Sequence, residues 1–243
     1  MYGYRARIGY LAALPVAEVF AVDFYKLVPA GVSLMMATWP IDAQDAGHGA
    51  DDPRSRALNL LAAKTFAAQG ADLIVLGNPP LPWAQGLAKL EDYLRGVEAQ
   101  VGVQVVASAV AQHKAFRALG ARQVGIVHPF GADRNDEHAR ELRDFFGLDC
   151  IGVRAGGRDF ATLGKIPIDA ALEWGRALKQ QHPGLDTLFI ACPHWRVIDA
   201  IDALEQELKV TVVTTLQAVA WEAMRRTGVN NRLDGYGRLL KEY

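Results

Sequence analysis

"GADLIVLGNPPLPW" (Gly70–Trp83) and "GLDTLFIACPHWRV" (Gly184–Val197) can be laid over one another without a gap. Asp72 then falls on Asp186, Asn78 on Cys192 and Pro79 on Pro193. Each stretch is an apolar run that stops at a polar or thiol residue followed by proline. Each is followed by a helix-like segment, a Val-Val run (Val105-Val106, Val212-Val213) and another helix-like segment, closing "AFRALGARQ" in one case and "AMRRTGVNN" in the other. Between the copies the chain starts afresh with "RQVGIVHPFGADRN". Apolar strands followed by a proline loop occur in any α/β protein. The order and spacing of the matches therefore carry the argument, and the simplest reading is a duplicated unit.

Working outward, short β-branched runs alternate with longer amphipathic stretches. The runs Arg7–Leu11, Val32–Thr38, Asp72–Gly77, Gln104–Ala107, Gln123–His128, Cys150–Arg154, Thr187–Ala191 and Val210–Thr214 read as strands. Arg54–Gln69, Gln85–Gln100, Ala109–Leu119, Asp133–Phe146, Ile168–Gln181, Trp195–Leu208 and Leu216–Arg226 read as helices. Nearly continuous apolar strands separated by helices indicate buried, mainly parallel sheets. The expected fold is α/β: two similar half-domains with mainly parallel sheets, related by a pseudo-twofold axis, with the site between them. The expected boundaries are 1–110 together with the tail 228–243 for one half, and 111–227 for the other.

With 243 residues, 51% of them hydrophobic, the chain can bury a large core. A net charge of -1 gives no basic surplus for nucleic acid or an anionic membrane surface. The apolar stretch near the N-terminus is short and broken by Pro15 and Glu18, so neither a signal peptide nor a membrane span is expected. Two cysteines are too few for a disulfide framework, which makes the cytoplasm the expected compartment. No CxxC, phosphate-binding GxxxxGK or HExxH pattern is present.

In parallel α/β units, ligands bind beyond the carboxyl ends of the strands. Asn78 and Cys192 both sit at such ends, and duplication would turn them toward one cleft. With a helix expected from Trp195, Cys192 would feel the positive end of a helix dipole, which lowers a thiol pKa. A thiolate can attack or take a proton; a thiol can return a proton to a carbanion. The alternative is a small packing residue, which is how Cys150, inside a strand, is read. His128 and His194 lie near strand ends, as catalytic partners or rim residues. The prolines of "GNPPLPW" stiffen a loop and remove backbone donors, with Trp83 as a candidate pocket wall. Thr214, Thr215 and Gln217 follow the last strand, where they can cap a helix or hold a substrate oxygen.

Taken in order, "RIGYLAALP", "GADLIVLGNPPLPWAQG", "LGARQVGIVHPFGADRND", "LFIACPHW…IDALEQELKVTVVTTLQAVAWEAMRRTG" and "GYGRLL" resemble the aspartate/glutamate racemase superfamily. The branch resembled holds arylmalonate decarboxylases and maleate cis-trans isomerases. The resemblance implies an active site between two half-domains, no metal or organic cofactor, and a small carboxylic acid as substrate. A homo-oligomer is compatible with it. Racemases and isomerases of this kind use one cysteine from each half; the decarboxylases keep only the second. Here the second position is Cys192 and the first is Asn78, or Gly77 if the loop is shifted by one. The resemblance therefore favours decarboxylation with Cys192 as proton donor, with maleate-type isomerisation or a small-acid-binding protein lacking turnover as rivals. Asn78, Pro79, Pro80, Phe130, Asn135, Pro193, His194 and Thr214 are the expected substrate-binding residues. Asn135 matches the family pattern. Pro79, Pro80 and Pro193 depart from it by lacking N–H groups, and Phe130 by standing where tyrosine is common.

Overall fold

The computed structural model describes residues 2–12, 18–38, 53–77 and 85–243. Asn78, Pro79, Pro80 and Trp83 lie outside the described residues. In the first half, β1 (Ala6–Ala12), β2 (Val32–Thr38), β3 (Leu73–Leu76) and β4 (Gln104–Ala107) form one sheet in the order β2-β1-β3-β4. In the second, β5 (Gln123–His128), β6 (Asp149–Ala155), β7 (Thr187–Ile190) and β8 (Thr211–Thr214) form another in the order β6-β5-β7-β8. All pairings are parallel. The helices are α1 (Glu18–Phe24), α2 (Pro53–Ala68), α3 (Gly86–Val101), α4 (Ser108–Leu119), α5 (Asn135–Arg140), α6 (Asp169–Gln181), α7 (Ile201–Leu208), α8 (Thr215–Arg226) and α9 (Arg238–Glu242). The fold is α/β in two similar halves, as the duplicated sequence implies.

The repetition extends to single atoms. Asp72 accepts from the Arg7 N–H at 2.8 Å, and Asp186 accepts from the Gln123 N–H at 2.9 Å. Each aspartate thus satisfies a backbone donor at the start of a central strand of its sheet. Beyond the strands, Gly77 N–H donates to Leu11 O at 2.8 Å, and Ala191 N–H donates to Val127 O at 2.9 Å. Gly9 and Gly125 occupy equivalent places on β1 and β5. A Cβ at Gly9 would lie 2.6 Å from the Phe66 ring of α2, and one at Gly125 would lie 2.6 Å from Leu185 and 2.8 Å from Leu178 of α6. Both glycines let a helix approach a central strand closely. The register places Leu76 beside Leu11 and Ile190 beside Val127, so the ungapped overlay holds as far as Gly77 and Ala191.

The expected boundary at 110/111 falls inside α4, which follows β4 as α8 follows β8 and so belongs with the first half; these two equivalent helices pack together across the halves. Gln112 of α4 donates to Thr215 Oγ1 of α8 at 3.1 Å. Lys114 of α4 reaches the buried Glu222 of α8, whose carboxylate also takes Arg226 at 2.7 Å. The turn after α1 reaches across to the second half: Lys26 pairs with Asp199 at 2.7 Å. The tail lays α9 against α8, α4 and β8.

Some elements differ from the sequence expectation. α1 and α9 have seven and five residues, too few for a helical period to show against neighbouring apolar positions. The single helix expected over Asp133–Phe146 is a 3-10 turn (Ala132–Arg134), α5, and a π turn (Glu141–Phe145). The helix expected from Trp195 begins only at Ile201, after a 3-10 turn over Ile198–Ala200. Trp195, Val197 and Ile198 each bury their side chains to 1% exposure from irregular backbone, which imitates helical spacing in the sequence.

Candidate active site

Cys192 stands two residues beyond the end of β7 and is 3% exposed. The late start of α7 removes the expected helix dipole from the thiol, and the expected lowering of its pKa does not occur. Burial pushes the Cys192 thiol up to about 12, although backbone N–H groups of His194 and Trp195 work against that rise. The His194 N–H lies 3.4 Å from the sulfur. Pro193 has no N–H to give, and the turn "CPHW" delivers the donor one residue later. At neutral pH the group is a thiol.

His194 is 2% exposed, and burial lowers its pKa to about 4, so the ring is neutral. Its Nδ1 has no hydrogen-bond partner. The ring lies 6.5 Å from that of Phe20, on α1 of the first half. Trp195 packs on Trp174 of α6 with ring centroids 5.0 Å apart. Thr214 is fully buried and caps α8, accepting from Gln217 N–H at 3.1 Å, while Gln217 returns a bond to the Thr214 N–H. The Gln217 amide also donates to Tyr236 O at 2.7 Å, tying the tail to this helix start.

The neighbouring strand β5 ends in a second cluster. His128 is fully buried, with a pKa lowered to about 4 by desolvation and by the adjacent His138. Its Nε2 lies 2.8 Å from Asn135 Oδ1. A side-chain carbonyl can only accept, so Nε2 carries the proton of this neutral ring and Nδ1 is left as an acceptor. The His138 ring is 4.4 Å from that of His128, and Phe130 stacks near both. Phe130 also meets Phe160 at 5.2 Å and lies beneath the Arg134 guanidinium, likewise at 5.2 Å. A cavity of about 510 Å³ opens beside this aromatic face, lined by Phe130, Arg134, Arg158 and Phe160 among others. Cys150 is half-buried in β6 with its thiol pKa raised by burial, as a packing residue would be.

The first half contributes two groups that the sequence reading passed over. Tyr10 of β1 is 1% exposed and stacks on Phe20 with centroids 3.6 Å apart. Ser108 opens α4 and is 4% exposed. Neither hydroxyl has a well-formed hydrogen bond to the rest of the protein, and the two lie within reach of one another. Burial raises the Tyr10 pKa, the nearby Cys192 adds to that effect, and the Ser108 hydroxyl works against it. One signal was available: a tyrosine in an otherwise aliphatic buried strand must place its hydroxyl somewhere. Among the described residues no three His, Cys, Asp or Glu side chains are arranged to hold a metal ion, and no helix is long and apolar enough to cross a membrane.

Two parallel four-stranded halves, with a thiol just beyond the end of one strand and the Tyr10 hydroxyl of the other half near it, define the class: an α/β protein with its candidate site between duplicated units. The sequence profile of arylmalonate decarboxylase matches residues 57–240. The chain belongs to the arylmalonate decarboxylase family. It is 27% identical over 244 residues to the arylmalonate decarboxylase of Bordetella bronchiseptica, covering 95% of this chain and 98% of that protein. A crystal structure of arylmalonate decarboxylase superposes with a TM-score of 0.80 at 23% identity, covering 98% of this chain and 100% of that one. The maleate cis-trans isomerase of Nocardia farcinica, bound to TRIS, superposes with a TM-score of 0.78 at 19% identity, covering 98% of each chain.

Proposed function

We propose that this protein is a cofactor-independent decarboxylase of malonate-type acids, with Cys192 as proton donor. The observation that carries this reading is the protonated, buried thiol at the end of β7. A dicarboxylate held there loses one carboxyl group as carbon dioxide. The electron pair of the broken C–C bond passes into an enediolate on the remaining carboxylate. The S–H bond of Cys192 then breaks, its proton goes to the α-carbon, and solvent returns a proton to sulfur. The enediolate is a far stronger base than a thiolate, so a thiol pKa near 12 does not obstruct the transfer. Burial serves this step twice: it keeps the proton on sulfur and strips water from the departing carboxylate. His194, neutral and with an unpartnered Nδ1, would stand beside the thiol as a polar contact for the substrate. Phe130, Asn135, Pro193 and Thr214, with Asn78, Pro79 and Pro80, would complete the walls. The two free thiols suit a reducing compartment, and on that ground we place the protein in the cytoplasm.

Covalent isomerisation requires a thiolate that adds to a double bond, and the raised thiol pKa disfavours it. The two reactions separate in deuterium oxide. Decarboxylation of phenylmalonate releases carbon dioxide and leaves one deuterium on the α-carbon of phenylacetate, without a protein adduct. Replacement Cys192→Ala should lower that turnover by at least about 1,000-fold. Absence of carbon dioxide from every aryl- and alkylmalonate tried, or a mass adduct at Cys192 with maleate, would overturn the reading.

A further inference from the structure

Tyr10 holds the place on β1 that Ile126 holds on β5: each pairs with the third residue of the neighbouring strand, Val75 or Phe189. Hydrocarbon suffices for packing at this position in one half, and the Tyr10 ring is already packed on Phe20. Phenylalanine would fill the same space. The phenol oxygen is therefore surplus to the core, and burying it unpaired costs about 1–3 kcal/mol. Ser108 repeats the anomaly. Its counterpart in the other half, Thr215, has the Gln112 amide at 3.1 Å, whereas Ser108 Oγ has only the Tyr10 hydroxyl within reach.

Both hydroxyls sit where the first half's strands end. A Cβ built on Gly77, the residue after β3, would lie 2.6 Å from the Tyr10 oxygen and 2.5 Å from Leu11 O. The phenol oxygen thus occupies space that a side chain from this strand end would take. From the other half come the Cys192 sulfur and the unpartnered His194 Nδ1, with Phe20 touching both Tyr10 and His194.

We propose that the Tyr10 and Ser108 hydroxyls form the first half's carboxylate-binding pair, donating hydrogen bonds to the carboxylate that becomes the enediolate while Cys192 protonates the α-carbon. The inference rests on the decarboxylase reading for its chemistry, and on the two orphaned hydroxyls for its place. Two neutral donors hold the carboxylate without a fixed cation, and they strengthen as charge moves onto its oxygens. The pair commits the site to an acid whose retained carboxylate points toward the β1–β3 strand ends and whose leaving carboxylate points away from them.

The test uses Tyr10→Phe, Ser108→Ala and the double variant of the full chain. Three quantities are read: kcat and KM on phenylmalonate, the Kd of phenylacetate by calorimetry, and Tm. The expected result for Tyr10→Phe is a kcat about 100- to 1,000-fold lower with KM changed less than about tenfold, because donors matter most in the transition state. Phenylacetate should bind about tenfold more weakly, and Tm should stay level or rise, because an unpaired buried hydroxyl has been removed. A merely structural hydroxyl would not lower kcat while leaving Tm intact. Values of kcat and Kd within threefold of wild type for both single variants, in an enzyme that does decarboxylate, would overturn the inference and leave the decarboxylase reading standing. Wild-type protein that binds phenylacetate through Tyr10 but releases no carbon dioxide would overturn the decarboxylase reading and keep the binding pair.

Discussion

Cys192 shows how one residue can be found in a sequence while its state is not. Its position after an apolar strand, and its match to Asn78 across the duplication, both point to the site. Its protonation depends on where α7 begins and on how deeply the turn "CPHW" is packed, which pairwise spacing does not encode. The consequence is measurable by iodoacetamide labelling of the folded protein. Cys192 should react slowly from pH 7 to 9, no faster than Cys150, and show no inflection below about pH 9; fast labelling near pH 7 would mean a thiolate and would contradict the burial described here. His128 and His194 give a prediction of opposite sense. Both are held neutral, with folded pKa values of about 4 against 6.5 when exposed. Their contribution to stability is complete above the unfolded value and is lost as pH falls from 6.5 toward 4, because the unfolded chain takes up the protons first. Glu141, raised by burial, acts with the opposite sign around its own titration. The urea midpoint should therefore fall between pH 7 and pH 5, and His128→Gln should flatten that decline. A midpoint that does not move would show that the rings are not buried in neutral form.

At the scale of elements, the strands were legible because parallel strands buried on both faces leave unbroken apolar runs. Val32–Thr38, Gln104–Ala107 and Gln123–His128 are found where the sequence places them. The short α1 was not legible, and neither was the broken start of α7, where Trp195, Val197 and Ile198 turn inward from a loop. Tyr10 was hidden for a similar reason. Its strand reads as core, and the strand is core; only the oxygen atom differs in role. The paired glycines make a direct test of close strand–helix contact. Gly125→Ala forces a methyl group against Leu185 and Leu178, and Gly9→Ala forces one against Phe66. Each should cost about 1–3 kcal/mol, read from urea midpoints, with similar values for the two because the contacts are equivalent. A loss confined to one half would show that the helices on that side can move away freely.

Over the whole molecule, the duplication was the most legible feature of all. The match of Asp72 to Asp186 reappears as two carboxylates making the same backbone bond. How the halves are fastened was not legible, since the α4–α8 contact joins two buried helices far apart in sequence. Glu222 is the centre of that contact. It is buried, it faces Lys114 from the other half, and it takes Arg226 from its own helix. Glu222→Ala should lower stability by about 1–3 kcal/mol, toward the low side because both cations are partly solvated. Calorimetry that finds Tm unchanged would place the fastening elsewhere along α4 and α8.

Gln217 gives the tail a reach that its place in the chain conceals. The same side chain that closes the cap at Thr214 holds the carbonyl of Tyr236, and the next residues dock on Asp202 and Glu205 of α7 through the Gly237 and Arg238 N–H groups. A protease nick near Leu233, or a bulky fusion crowding α9, would thus slacken the start of α8 from behind. Anyone immobilising this protein on a surface, or joining it to a second enzyme, would do well to leave residues 233–243 unburdened.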